Sequence, residues 1–159
     1  MINSIPTFSK SLYYQKLFKA LFVLSYYACL RAGEAVNSQN KNNILLFENI
    51  QIASSVVPAF NITFNKFKCS NSSVTFLLEP SNDSRYCPVS ALADYLELRG
   101  ASPGPLFLNH CMTPLSRNTF ANSMKGCLKL AGFDPNSYNT HSFRIGRATD
   151  LALANVLLG

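Results

Sequence analysis

The sequence predicts a mainly α fold of the α+β class: helices with one small antiparallel sheet. Three observations predict it. Apolar residues recur at i, i+3 and i+4 near both ends of the chain. Three short β-like runs are confined to residues 44–78. The order is a helix, then strands, then further helices. With 159 residues one domain is expected, long enough for a sizeable core. Hydrophobic residues make up 48% and charged residues only 14%, which excludes a disordered chain.

Each element has its own signals. Ser9 caps a helix expected to run to about residue 30, with Leu17, Ala20, Leu21, Leu24 and Ala28 on one face. Phe22, Val23, Tyr26 and Tyr27 make its second half apolar all round, which predicts a central position in the core. Gly33 permits a sharp change of direction before a short helical turn, and residues 37–43 read as a polar loop. Residues 44–47, 60–68 and 74–78 are the expected strands, the last two joined as a hairpin through residues 69–73. Residues 80–84 form a turn. Pro88 suits the first position of a helix whose apolar face is Val89, Leu92, Ala93 and Leu96 and which ends at Gly100. Residues 106–108 read as a short strand. Ser116 caps a helix carrying Phe120, Met124, Leu128 and Ala131, with Gly132 as its stop. Residues 135–137 turn the chain, and Thr140 is the expected cap of a final helix with Ala148, Leu151, Ala152 and Val156 facing inward.

The net charge of +6 suits a polyanionic partner, but no long Lys/Arg run occurs, so any basic surface must be assembled by the fold. The five cysteines are odd in number, scattered and without a C-x-x-C pair. They read as reduced thiols of an intracellular protein, not as a disulfide framework or zinc site. His110 and Cys111 are adjacent but lack partners at metal-ligand spacing, so no metal is expected. The first residues are polar and contain Pro6, unlike a signal peptide. The longest apolar stretch, residues 20–30, is too short to span a bilayer, so no membrane association is expected.

Three features carry chemistry. His141 and Arg144 are three apart at the start of the final helix, on one expected face. A helix N-terminus attracts phosphate, a guanidinium grips two phosphate oxygens, and an imidazole exchanges a proton near neutral pH. Alone, such a pair reads as a surface histidine beside a salt-bridged arginine. Arg31 follows a deeply apolar helix, where an unpaired charge is costly. Glu34 lies three residues on, and alone the two read as an ion pair closing a helix end. Lys66 and Lys68, two apart on a strand, share a face, and alone they read as a solvated edge. Together they form a phosphate clamp. Two guanidiniums hold the non-bridging oxygens and stabilise the transition state, a lysine protonates a leaving 5′ oxygen, and a histidine assists as acid or base. The set lacks a nucleophile.

Leu30-Arg31-Ala32-Gly33-Glu34 resembles the first arginine motif of the tyrosine recombinase (phage integrase) family, and His141-Ser142-Phe143-Arg144-Ile145-Gly146 resembles the second. The stretch from Gly104-Pro105-Leu106-Phe107 to Thr149 is similar to the eukaryotic branch carried by DIRS-like and Crypton-like mobile elements. The resemblance implies a tyrosine-recombinase-like catalytic domain that acts in DNA recombination and integration. Arg31, His141 and Arg144 fall on phosphate-binding residues, Lys68 on the catalytic lysine with Lys66 as its alternative, and Glu34 on the acid supporting the first arginine. Arg147 stands where relatives often carry a small residue, as a further DNA contact or as surface charge. Double-stranded DNA is the implied partner, with a homo-oligomer on DNA, a nuclear location and no metal or nucleotide cofactor.

The family's nucleophilic tyrosine follows the second arginine motif, and none of the tyrosines here follows Arg144. The resemblance therefore implies that residues 1–159 are a single partial catalytic domain, without the nucleophile helix or an N-terminal DNA-clamping domain, and inactive alone. Two alternatives stand beside an enzyme fragment. One is a domesticated, non-catalytic DNA-binding module. The other is a decayed fragment whose last helix lost the cover over Ala148, Leu151 and Val156.

Overall fold

The computed structural model describes residues 1–36, 44–53, 57–65 and 72–158, the side chains of 156–158 excepted. A 3-10 turn (Ile2–Ser4) leads into α1 (Ile5–Phe8), α2 (Leu12–Tyr27) and α3 (Ala32–Ala35). Strands β1 (Ile50–Ala53), β2 (Ala59–Phe64) and β3 (Val74–Leu78) follow. Then come α4 (Pro88–Arg99), α5 (Arg117–Leu130), a 3-10 turn (Pro135–Ser137) and α6 (Ser142–Leu158). The sheet order is β1-β2-β3, antiparallel throughout, with Ile50 opposite Ile62 and Phe60 opposite Leu78. This is the expected mainly helical fold with a small antiparallel sheet.

Helix α2 is the central element. Leu17, Phe18, Ala20, Leu21, Phe22, Val23, Leu24 and Ser25 are all buried. Its aromatics stack at four-residue intervals, Tyr14 on Phe18 and Phe18 on Phe22, because residues i and i+4 share a helix face. Phe22 then meets Phe120 of α5 and Phe143 of α6, with ring centroids 6.1 and 5.6 Å away. One aromatic column thus ties three helices together.

The Ser116 cap and the Pro88 helix start are where the sequence predicts them, and the Ser116 hydroxyl accepts the Thr119 N–H at 3.0 Å. Several expectations are corrected. The cap of α2 is Ser11, not Ser9, since its hydroxyl faces the Tyr14 N–H. The chain reversal after α2 occurs at Cys29, which has φ 51°, while Gly33 lies inside the α3 turn. Leu30 N–H donates to Ser25 O and closes the helix end around that left-handed residue. Residues 44–47 and 106–108 make only isolated bridges, Leu46 to Pro105 and Leu108 to Pro114. The first true strand is β1, after a 3-10 turn (Phe47–Asn49). Ala93 is exposed, and the inward face of α4 is Val89, Ala91, Leu92, Tyr95 and Arg99.

The largest correction concerns α6. Ala148, Leu151 and Ala152 are exposed, not inward. Contacts pair Phe22 with Phe143 and Tyr26 with Gly146 and Asp150, so α6 advances beside α2 in the same sense. Helix α2 stops at Tyr27, and the rest of α6 continues past its neighbour. The side chain of Val156 and the loop at residues 37–43 lie outside the described residues. Among the described residues no helix is long and apolar enough to cross a membrane.

Candidate phosphate-binding site

Phe143 sets up the second arginine motif. It is buried between Phe22 and Phe120, which plants the first turn of α6 in the core. His141 is left exposed and Arg144 half-buried. The expected cap at Thr140 is not seen, and the turn before α6 is held instead by Asn139. Its Oδ1 accepts the His141 N–H at 2.8 Å, and its own N–H donates to Ser142 Oγ at 3.1 Å. His141 therefore stands in the turn just before the helix, not inside its first turn. The N–H groups of Phe143 and Arg144, in the first turn of α6, have no acceptor within the helix. The Arg144 guanidinium makes no hydrogen bond or ion pair with any described residue. An open cation thus lies beside an open helix N-terminus, the arrangement that holds a phosphate.

Arg31 is held differently. It is the residue before α3, between the buried anchors Leu30 and Ala35. Glu34 Oε2 accepts the Arg31 N–H at 2.7 Å, and Glu34 Oε1 pairs with Arg31 Nη1 at 3.2 Å. The ordinary helix-end pair read from sequence is therefore present, and it also fixes where Arg31 leaves the backbone. Lys66 and Lys68 lie outside the described residues. Strands β2 and β3 pair as consecutive antiparallel neighbours, up to Phe64 opposite Val74, so the chain between them connects the hairpin.

Arg147 packs against protein. Its guanidinium carbon lies 5.0 Å from the Tyr27 ring centroid and 5.5 Å from that of Tyr26. Its Nε is buried without a hydrogen-bond partner among the described residues. The Tyr26 hydroxyl donates to the Asp150 carboxylate. Burial, then that hydrogen bond, hold the Tyr26 hydroxyl above its ordinary range against a smaller opposing pull from Arg147. Sequence reasoning missed this Tyr26–Arg147–Asp150 cluster. The three-residue spacing of Arg147 and Asp150 was legible, but their partner on α2 was not.

Both arginine motifs flank the same end of α2. Arg31 follows its last turn, and α6 packs along its last two turns. Two apolar cavities open there. One of about 430 Å³ is lined by Phe22, Tyr26, Tyr27, Tyr86 and Phe143, and one of about 330 Å³ by Tyr26, Met124, Phe133, Tyr138 and Phe143. Neither is lined by Arg31, His141 or Arg144. The hydroxyls of Tyr13 and Tyr95 donate to Leu108 O and Leu106 O, so both tyrosines are committed to the core.

Among solved structures, the chain is similar to the site-specific recombinase XerH in a pre-cleavage complex with its difH substrate. The TM-score is 0.70 at 16% identity, over 96% of this chain and 40% of that one. The chain therefore spans about two fifths of the length of the recombinase it matches, and at this identity the likeness shows the fold, that of a tyrosine recombinase. No family model and no curated protein matches it.

Proposed function

We propose that residues 1–159 bind the scissile phosphate of duplex DNA, as part of a strand-exchange catalytic domain of the tyrosine recombinase kind. The observation that carries this reading is Arg144. It is an arginine without a hydrogen-bond or ion-pair partner among the described residues, at a helix N-terminus planted in the core, near the end of α2 that Arg31 follows, on a fold shared with a DNA recombinase. In this reading Arg31 and Arg144 take the non-bridging oxygens and His141 moves a proton. Lys68, or Lys66, protonates the leaving 5′ oxygen, and Glu34 orients Arg31. The reading extends to the DIRS-like and Crypton-like branch, a nuclear location and assembly of several copies on DNA.

The clamp lowers the barrier to attack on phosphorus but cannot itself attack. No tyrosine in this sequence follows Arg144, so the reading takes the nucleophile from outside residues 1–159. Tyr138 precedes α6 and packs edge-on against Phe133. The chain alone should therefore bind DNA weakly, with strong salt dependence and little sequence preference, because phosphate contacts carry affinity but no base information. Titration of a labelled duplex at two salt concentrations tests the binding, and an affinity that ignores salt would count against it. A nicked suicide substrate tests the chemistry on a denaturing gel. No covalent adduct is expected, and one abolished by Tyr138→Phe would show that the nucleophile is Tyr138. A non-catalytic DNA-binding module shares the binding prediction. It is separated from an enzyme fragment by supplying the chain with the genomic sequence that follows it and repeating the trap.

A further inference from the structure

The inner face of the sheet is only partly covered. Ile50 and Ile52 share one face of β1, opposite the buried Ile62 and Phe60. Ile62 is wholly enclosed, yet Ile52 on the same face is 81% exposed. Beside Ile52 an open groove of about 910 Å³ runs between β1 and α4, with Phe47, Phe60 and Leu96 also along it. Asp94 and Glu97, one turn apart on α4, form its charged lip. Among the described residues no Lys, Arg or His lines it. The chain as a whole carries 14 Lys and Arg against 8 Asp and Glu, so this groove runs against the overall charge. Asp94 is paired with Lys16, while Glu97 is exposed and without an ion pair among the described residues.

We propose that this groove docks a cationic amphipathic segment of a partner protein. The partner's apolar side chains would cover Ile52, and a lysine or arginine would meet Glu97, the lip carboxylate not already paired with Lys16. Charge selects this occupant over the alternatives. Nucleic acid is repelled by a carboxylate lip. A second copy of the chain offers the exposed apolar stretch of α6 around Leu151 and Leu153, but after Arg147 that helix carries Asp150 and no cation. The proposal does not depend on the phosphate-binding reading, since none of its residues belongs to that site.

The test uses two fluorescent peptides, one alternating lysine with valine and one alternating glutamate with valine, titrated against the chain. The lysine peptide should bind and the glutamate peptide should not. Ile52→Ser should weaken binding about tenfold or more by removing the apolar contact. Glu97→Lys should weaken it by about two- to fivefold, the scale of an exposed ion pair. Both positions are exposed, and circular dichroism verifies that the variants fold. The proposal is overturned if the lysine peptide fails to bind at about millimolar protein, a concentration that still detects weak docking. It is equally overturned if neither substitution changes binding or if the glutamate peptide binds as well. Self-association in sedimentation equilibrium that Ile52→Ser abolishes would assign the groove to a second copy instead.

Discussion

Arg99 and Arg144 are the same side chain in opposite surroundings. Arg99, at the end of α4, is 3% exposed. Its Nε donates to Leu106 O at 2.7 Å, Nη1 to Gly100 O and Ser102 O at 2.9 and 2.7 Å, and Nη2 to Pro105 O at 2.7 Å. The Phe47 ring lies 4.7 Å beneath it. It has no carboxylate partner among the described residues, and carbonyl dipoles compensate its buried charge. Arg144 makes none of these bonds and stays half-buried at the surface. A guanidinium whose donors are consumed by its own chain holds a loop and has nothing left for a ligand. One whose donors are open can receive a phosphate.

The sharpest way to break that comparison is to remove each arginine and measure both stability and DNA affinity. Arg99→Met should cost about 3–5 kcal/mol in urea unfolding, because the carbonyls of Gly100, Ser102, Pro105 and the buried Leu106 lose a charged donor. A loss below about 1 kcal/mol, an ordinary surface change, would show that the loop at 100–106 holds itself together. Arg144→Ala should do the reverse. It should weaken DNA binding by about 1–3 kcal/mol, with a stability change under about 1 kcal/mol. A destabilised Arg144→Ala protein with unchanged DNA affinity would overturn its assignment as a ligand-binding group.

Tyr95 sharpens the structural side. Its hydroxyl donates to Leu106 O and accepts the Leu108 N–H at 3.0 Å, on the same loop that Arg99 holds. Burial, only partly offset by that N–H, holds the phenol far above its ordinary pKa of 10.0. Between the unfolded and folded pKa values the folded chain binds the extra proton, so stability is full below about pH 10 and falls as pH rises above it. Tyr95→Phe should cost about 1–3 kcal/mol at pH 7 and flatten that alkaline decline. Unfolding curves at pH 7, 9 and 11 check both effects, and an unchanged slope would mean that another group, such as Tyr26, supplies it.

The smallest expected effect is at Glu34. Its pairing with Arg31 is partly exposed, so Glu34→Gln should cost only about 0.5–1 kcal/mol of stability. If Glu34 orients Arg31 for phosphate, DNA affinity should fall although a negative charge has been removed. A rise in affinity would mean that Glu34 merely competes with DNA for the arginine.

Legibility in the sequence followed the range of the forces involved. The strand Val74–Leu78, the Pro88 start and the Ser116 cap were readable because alternation, ring geometry and capping act within a few residues. Apolar period alone misled at residues 106–108. These are buried as expected, but their partners are Leu45 and the 113–115 segment, so no ladder forms. The two arginine motifs were legible as strings. Nothing local distinguished Arg144 from Arg99, which was overlooked because its acceptors are carbonyls of a loop that closes only in the fold.

By itself the sequence determined that α2 would be central, since a helix apolar on every side can only be buried. It also determined that Glu34 could reach Arg31. Tertiary structure alone decided which face of α6 is covered. The pattern of Ala148, Leu151 and Ala152 asks for a neighbour, but α2 ends at Tyr27 and the packing is exhausted by Asp150. It also decided which arginine is spent and which is open. Hydrogen-bond donors are satisfied by whatever the fold brings within about 3 Å, and that distance is set by packing between segments far apart in the chain.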